Sequence, residues 1–246
     1  MSEWKAKRFW TSAEIATQDG GFAVRLDGRP VKTPAKAPLV VPTKDMAHAI
    51  AAEWDAQDDV IDPHTMPVTR AANAAIDKVR HQHAEVAQMI ADYGDADLLC
   101  YRAASPVELV QRQSESWDPL LDWAAAAFGV RLHTVTGVMH APQDQDALAS
   151  LAGHVHKMDA FTLTAFHDLV SLSGSLIIGF AALTDYRAPE GLWQVSRVDE
   201  MWQAELWGID EEASEHAARK ECDFLAAKRF HNLAGAWKPS LFGQVT

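Results

Sequence analysis

The sequence predicts an α+β chain, with a small β-rich segment at its start and a mostly α-helical remainder. Three observations carry that expectation. Between Arg8 and Val41, short apolar runs are punctuated by Gly and Pro, the pattern of brief strands joined by turns. Beyond Pro67, apolar residues recur at helical spacing, which gives each helix one face to bury. Capping and breaking residues then stand where such helices would begin and end.

The strands come first. Phe22 to Leu26 alternates apolar and other residues, and Asp27-Gly28 is a pair that tolerates the positive φ of a two-residue hairpin turn. Arg29 to Pro34 returns; Pro30 and Pro34 have no amide to donate, so this strand belongs at an edge. Leu39-Val40-Val41-Pro42 predicts a further strand. So small a sheet needs a helix against it. Thr43 can cap one, with Met46, Ala47, Ile50 and Trp54 on its inner side. Residues 1–62 therefore read as a β-rich α+β domain.

The proline-bounded stretch Asp62–Pro67 is expected to link this domain to a helical one over 63–234. Within it, helices are expected over 68–93, 142–158, 161–183, 189–207 and 210–233. Another should start at Ser105, with Ser105 as N-cap, Pro106 at N1 and Glu108 closing a capping box, and stop at Gly129. Residues 97–102 are ambiguous between strand and helix, and 130–138 suggest a strand. Residues 235–246 lack periodicity and read as a loose tail.

Composition narrows the function. With 246 residues, 48% of them apolar and 23% charged, the chain can bury a sizeable core. Its 22 basic and 34 acidic residues leave a net charge of -12, which opposes nucleic acid and anionic membranes as partners. A basic or apolar protein partner is expected instead. Cys100 and Cys222 match no metal or redox spacing, so a reducing compartment is expected. Met1 to Lys5 shows no apolar leader, and the run Leu176 to Leu183 is too short to span a bilayer. A cytoplasmic location follows as an expectation.

Catalytic motifs are weak throughout. Gly28 to Thr33 ends in Lys-Thr, yet it lacks the glycine before lysine that a phosphate loop needs, and its prolines remove amides. His81/His83 and His154/His156 are two residues apart, which splays the rings on a helix, so no metal or other cofactor is expected. The acidic stretch Asp92–Asp97 reads as capping rather than calcium binding. Ser171, Ser175 and Gly179 form a small-residue stripe at helical spacing, and His167-Asp168 should diverge to different faces. A hydrolase using Ser173 or Ser175 on the 161–183 helix is the enzyme alternative, and a general scaffold is the other.

The most specific stretch is Pro189 to Leu233. Leu192, Val195, Val198, Met201 or Trp202, and Leu206 follow one helical stripe, Gly208 can end that helix, and Asp210 can cap the next. Two helices should meet at an acidic corner beside Trp202 and Trp207. Asp199, Glu200, Trp202, Glu205, Trp207, Asp210 and Glu212 are the candidate partner-binding residues. Arg25, Arg29 and Lys32 on the basic hairpin are a secondary candidate.

Several blocks in order resemble one family. They are Arg8-Phe9-Trp10, Gly21-Phe22, Leu26 through Pro34, Ala52 through Gln57, Met66-Pro67, Asp97 through Arg102, Trp117-Asp118-Pro119-Leu120, and Asp199-Glu200 to Trp207-Gly208. Together they resemble the assembly chaperones of the F-type ATP synthase that hold the free α subunit of its catalytic sector. The resemblance implies a β-rich N-terminal domain, a helical C-terminal domain and a non-catalytic role. It also implies that the partner is the unassembled α subunit, protected from aggregation until β subunits replace it. A monomer is expected.

Overall fold

The computed structural model describes residues 7–235. Its first unit is an antiparallel meander. β1 (Ala13–Gln18) pairs along its whole length with β2 (Gly21–Leu26), and the other edge of β2 is shared by β3 (Arg29–Pro30) and β4 (Val40–Val41). The hairpin expected at Asp27-Gly28 forms, with φ of 47° and 78° at the two positions. Asp27 also accepts from the amides of Thr11 and Ser12 at 3.0–3.1 Å, tying the segment before β1 to the turn.

One helix covers the sheet, as its size requires. α1 (Lys44–Asp55) starts at Thr43, whose hydroxyl accepts from the Met46 amide at 3.1 Å. Met46, Ala47 and Ile50 are buried, while Trp54 packs edge-on against Trp10 with ring centroids 5.1 Å apart. The sheet's core also takes Val68, Ala72 and Ile76, then Phe161, Ala165 and Phe230 from much later in the chain.

α2 (Pro67–Ala74) lacks a capping side chain of its own. Glu53 on α1 supplies it, accepting from the amides of Val68 and Thr69, both at 2.8 Å, and from the Thr69 hydroxyl at 2.7 Å. The single helix expected over 68–93 is interrupted. A π turn at Ala75–Val79 and a break at residues 80–82 precede α3 (His83–Ala91). The cause lies in packing: Ile76 faces the sheet's core and Val79 faces the helical one, so the extra residue of the wide turn swings the buried face between them.

The helical part follows. β5 (Tyr101–Arg102) leads into α4 (Val107–Phe128), which ends at Gly129 with φ 71°, as expected. The start of α4 differs from expectation. Pro106 holds extended backbone at the N-cap, so the helix begins one residue later and Ser105 makes no capping bond. The strand suggested at 130–138 shrinks to β6 (Val135–Thr136), which pairs parallel to β5.

α5 (Gln145–Val155) packs on α3. The helix expected over 161–183 divides at Gly174, φ 74°, into α6 (Ala160–Ser173) and α7 (Leu176–Leu183). Ser175 caps α7, and every residue of α7 is buried. Gly179 lets α6 close in: a Cβ there would lie 2.5 Å from Val170 and 2.9 Å from Phe166. α8 (Pro189–Val195), α9 (Val198–Trp207) and α10 (Glu211–Ala234) complete the order. The expected tail lies outside the described residues from 236 onward.

Candidate interaction corner

The helix expected over 189–207 is two helices. The Ser196 hydroxyl turns back to donate to the Trp193 carbonyl at 2.6 Å, and Arg197 leaves helical geometry. The break ends the apolar stripe. Leu192 and Val198 are buried, but Met201 and Leu206 turn outward, 39% and 57% exposed. Trp202 is the residue that turns inward, half-buried beneath the Arg112 guanidinium, which stands 4.9 Å from its ring centroid.

α4 pegs the end of α8 and the length of α9 through three side chains. The Trp117 indole donates to the Val195 carbonyl at 2.8 Å, the Gln113 amide donates to Asp199 at 2.7 Å, and Arg112 forks onto Glu205 at 2.7 and 2.9 Å. The fork holds the Glu205 carboxyl below the usual carboxylate range and raises Arg112 in turn. Glu200 pairs with Arg197 at 2.9 Å one turn back. Asp210 caps α10 as expected, accepting from the Ala213 amide at 3.1 Å, and Glu212 projects to solvent from the first turn.

Gly208 makes the corner possible. Its φ of 91° with ψ of 167° is a conformation essentially confined to glycine. On either side of it the chain stands clear of the body: Trp207 is 78% exposed and Ile209 77%. Trp207 therefore faces solvent, whereas Trp202 is packed. Between Arg197 and Arg219 the chain carries seven carboxylates and no Lys or Arg.

The secondary candidates lie elsewhere. Arg25, Arg29 and Lys32 are exposed on the hairpin, and the sheet sits by the far end of α10, where the Thr43 hydroxyl donates to the Leu233 carbonyl. The 24 residues of α10 separate the two ends by about 36 Å. The structure does not bring the basic hairpin and the acidic corner together.

The serines of the enzyme alternative are structural. Ser173 is buried and donates to the Leu169 carbonyl at 2.6 Å. Ser175 is buried, donates to Asp97 at 3.0 Å and accepts from the Ile178 amide. The proposed stripe of Ser171, Ser175 and Gly179 is broken by Gly174, and Ser171 faces solvent. His167 and Asp168 do meet, at 2.8 Å, contrary to the expected divergence. Asp97 accepts from the amides of Leu99 and Ile177, so the acidic stretch ends in a double cap. Among the described residues, no cluster of His, Cys, Asp or Glu is arranged to hold a metal, and no helix is long and apolar enough to cross a membrane.

Arg112, Gln113 and the exposed Ile209 were not singled out in the sequence, and Leu206, read there as part of the apolar stripe, is exposed instead. Arg112 and Gln113 lie some ninety positions from their partners, and only the antiparallel packing of α4 and α9 joins them.

Comparison with known proteins follows the same outline. A family model described as ATP12 chaperone protein matches residues 7–125. The crystal structure of Atp12 from Paracoccus denitrificans is 49% identical, with a TM-score of 0.91, over 94% of this chain and 100% of that one. The chain belongs to the ATP12 chaperone family. A putative chaperone from Agrobacterium tumefaciens, also a crystal structure, is 41% identical with a TM-score of 0.88, over 92% of this chain and 85% of that one. The mitochondrial protein atp12 of Schizosaccharomyces pombe is 28% identical over 222 residues, 85% of this chain and 76% of that one. The ATP12 family is the group of ATP synthase assembly chaperones that the sequence blocks resemble, and those blocks hold the fold together. Arg8 reaches the carbonyls of Asp55 and Gln57, and Glu53 caps α2 just after Met66-Pro67.

Proposed function

We propose that this ATP12-family chaperone binds the unassembled α subunit of the ATP synthase catalytic sector and covers its aggregation-prone surface until β subunits replace it. The contact is the corner formed by Asp199, Glu200, Trp202, Glu205, Trp207, Asp210 and Glu212. One observation carries the assignment of the corner: an indole 78% exposed, at a protruding turn surrounded by carboxylates. Large aromatics left in water beside charge are the anchors of protein interfaces. Arg25, Arg29 and Lys32 form a lesser contact at the other end. The chain acts as a cytoplasmic monomer and catalyses nothing.

Pull-down from extract of the source cell tests this. Recovery of the α subunit without β supports it, and failure to recover α overturns it. Trp207→Ala should lower α recovery severalfold while the protein keeps its unfolding midpoint, because an exposed side chain contributes little to the core. A folded Trp207→Ala protein that captures α normally removes the corner from the interface.

A further inference from the structure

We infer that the surface meeting the α subunit continues from the acidic corner across the start of α4 to the Val138–Met139 loop after β6. This rests on the proposal that the corner meets the α subunit.

The argument begins with direction. Passing down α4 from Trp117 to Gln113 to Arg112, the partners pass up the chain from Val195 to Asp199 to Glu205. The α8–α9 stretch therefore runs antiparallel to α4, and the end of α9, with Leu206 and Trp207 in it and Ile209 beyond, arrives beside the first turn of α4. Val107, the first residue of that turn, is 72% exposed.

β5 leads directly into the same end of α4. β6 runs parallel to β5, and the Gly137 amide donates to the Arg102 carbonyl at 2.8 Å. Val138 and Met139 thus emerge alongside residues 103–104, with 91% and 81% of their surface in water. Gln113 closes the circuit. It is buried; its side-chain oxygen accepts from the Ala103 amide at 2.8 Å, and its side-chain nitrogen donates to Asp199 at 2.7 Å. One amide group joins the root of the loop to α9.

Six exposed apolar side chains, Val107, Val138, Met139, Leu206, Trp207 and Ile209, therefore share one end of the molecule. Single exposed apolar residues are ordinary, but a collection at one end marks a site that another surface covers. Charge selects the occupant. The run of carboxylates without a Lys or Arg between Arg197 and Arg219 borders this end on one side. It repels a second copy of the same chain and suits an apolar face edged by Lys and Arg. The α subunit is the occupant, which requires that it present such a face here.

The test uses the full chain and purified α subunit. The double variant Val138→Asp/Met139→Asp should weaken α binding about tenfold, with an unchanged unfolding midpoint. In the wild-type complex, amide exchange at residues 138–140 should slow, a readout that needs no variant. If Trp207→Asp abolishes binding while the loop variant binds normally and its amides stay unprotected, this inference is overturned and the corner stands. If wild-type chain and α subunit do not associate, both are overturned. Concentration-dependent dimerisation that the loop variant abolishes would make this end a self-interface and overturn the inference.

Discussion

Arg112 and Glu205 form a two-pronged ion pair, at 2.7 and 2.9 Å, between helices that lie far apart in sequence. The same guanidinium lies over Trp202, so one side chain orients both a carboxylate and an indole of the corner. Both partners are partly open to water, and exposed pairs contribute little to folding. Glu205→Lys should accordingly leave the unfolding midpoint close to wild type while reducing α-subunit capture severalfold. Normal capture by the folded variant would show that Glu205 serves only to hold α9.

Two buried groups should give the stability curve opposing slopes in mild acid. Burial pushes Asp97 up to about 6 from 3.8, against the bonds from Leu99, Ile177 and Ser175 that favour its charge. Burial pushes His231 down to about 4 from 6.5, helped by the nearby Lys228 charge. For Asp97 the native state holds the proton more tightly, so its contribution is complete below pH 3.8 and is lost as pH rises through 6. For His231 the unfolded state holds the proton more tightly, so its contribution is complete above pH 6.5 and is lost as pH falls through 4. Each is about 3 kcal/mol, and they largely cancel. Relative to wild type, His231→Gln should gain stability between pH 6.5 and 4, and Asp97→Asn should lose it. Urea midpoints at four pH values would decide, and parallel curves for all three proteins would refute the assignment.

Gly179→Ala should destabilise the chain by about 1–3 kcal/mol. The added methyl meets Val170 and Phe166 inside ordinary contact distance, and both helices are tightly buried. A denaturant midpoint equal to wild type would mean that α6 and α7 can part without cost.

Glu53→Ala removes the acceptor for three donors at the start of α2. The expected loss is about 1–3 kcal/mol, with faster amide exchange at Val68 and Thr69 than elsewhere in α2. Unchanged exchange at those two amides would show that water replaces the carboxylate.

Much of the fold was legible in residues whose role is local. Asp27-Gly28, Thr43, Gly129 and Asp210 each set a turn or a cap through their own backbone, and each does what its type predicts. The failures share a cause in tertiary packing. The break at Ser196 and the wide turn at Ala75–Val79 occur where the buried face must change partner, and helical periodicity runs smoothly through both. At the corner, the carboxylates were visible as a cluster. That Glu205 is clasped, Trp202 covered and Trp207 bare depends on α4, which the local pattern does not mention.

The closure of the sheet's core by Phe230, beside the bond from Thr43 to the Leu233 carbonyl, bears on the order in which the chain can mature as it is made. Strands that leave the ribosome first must wait for α10 before their apolar face is sealed. Synthesis proceeds from the N-terminus, so for most of translation this chaperone carries an unfinished hydrophobic face of its own. A product truncated before residue 230 should be one that the cell's other folding helpers retain.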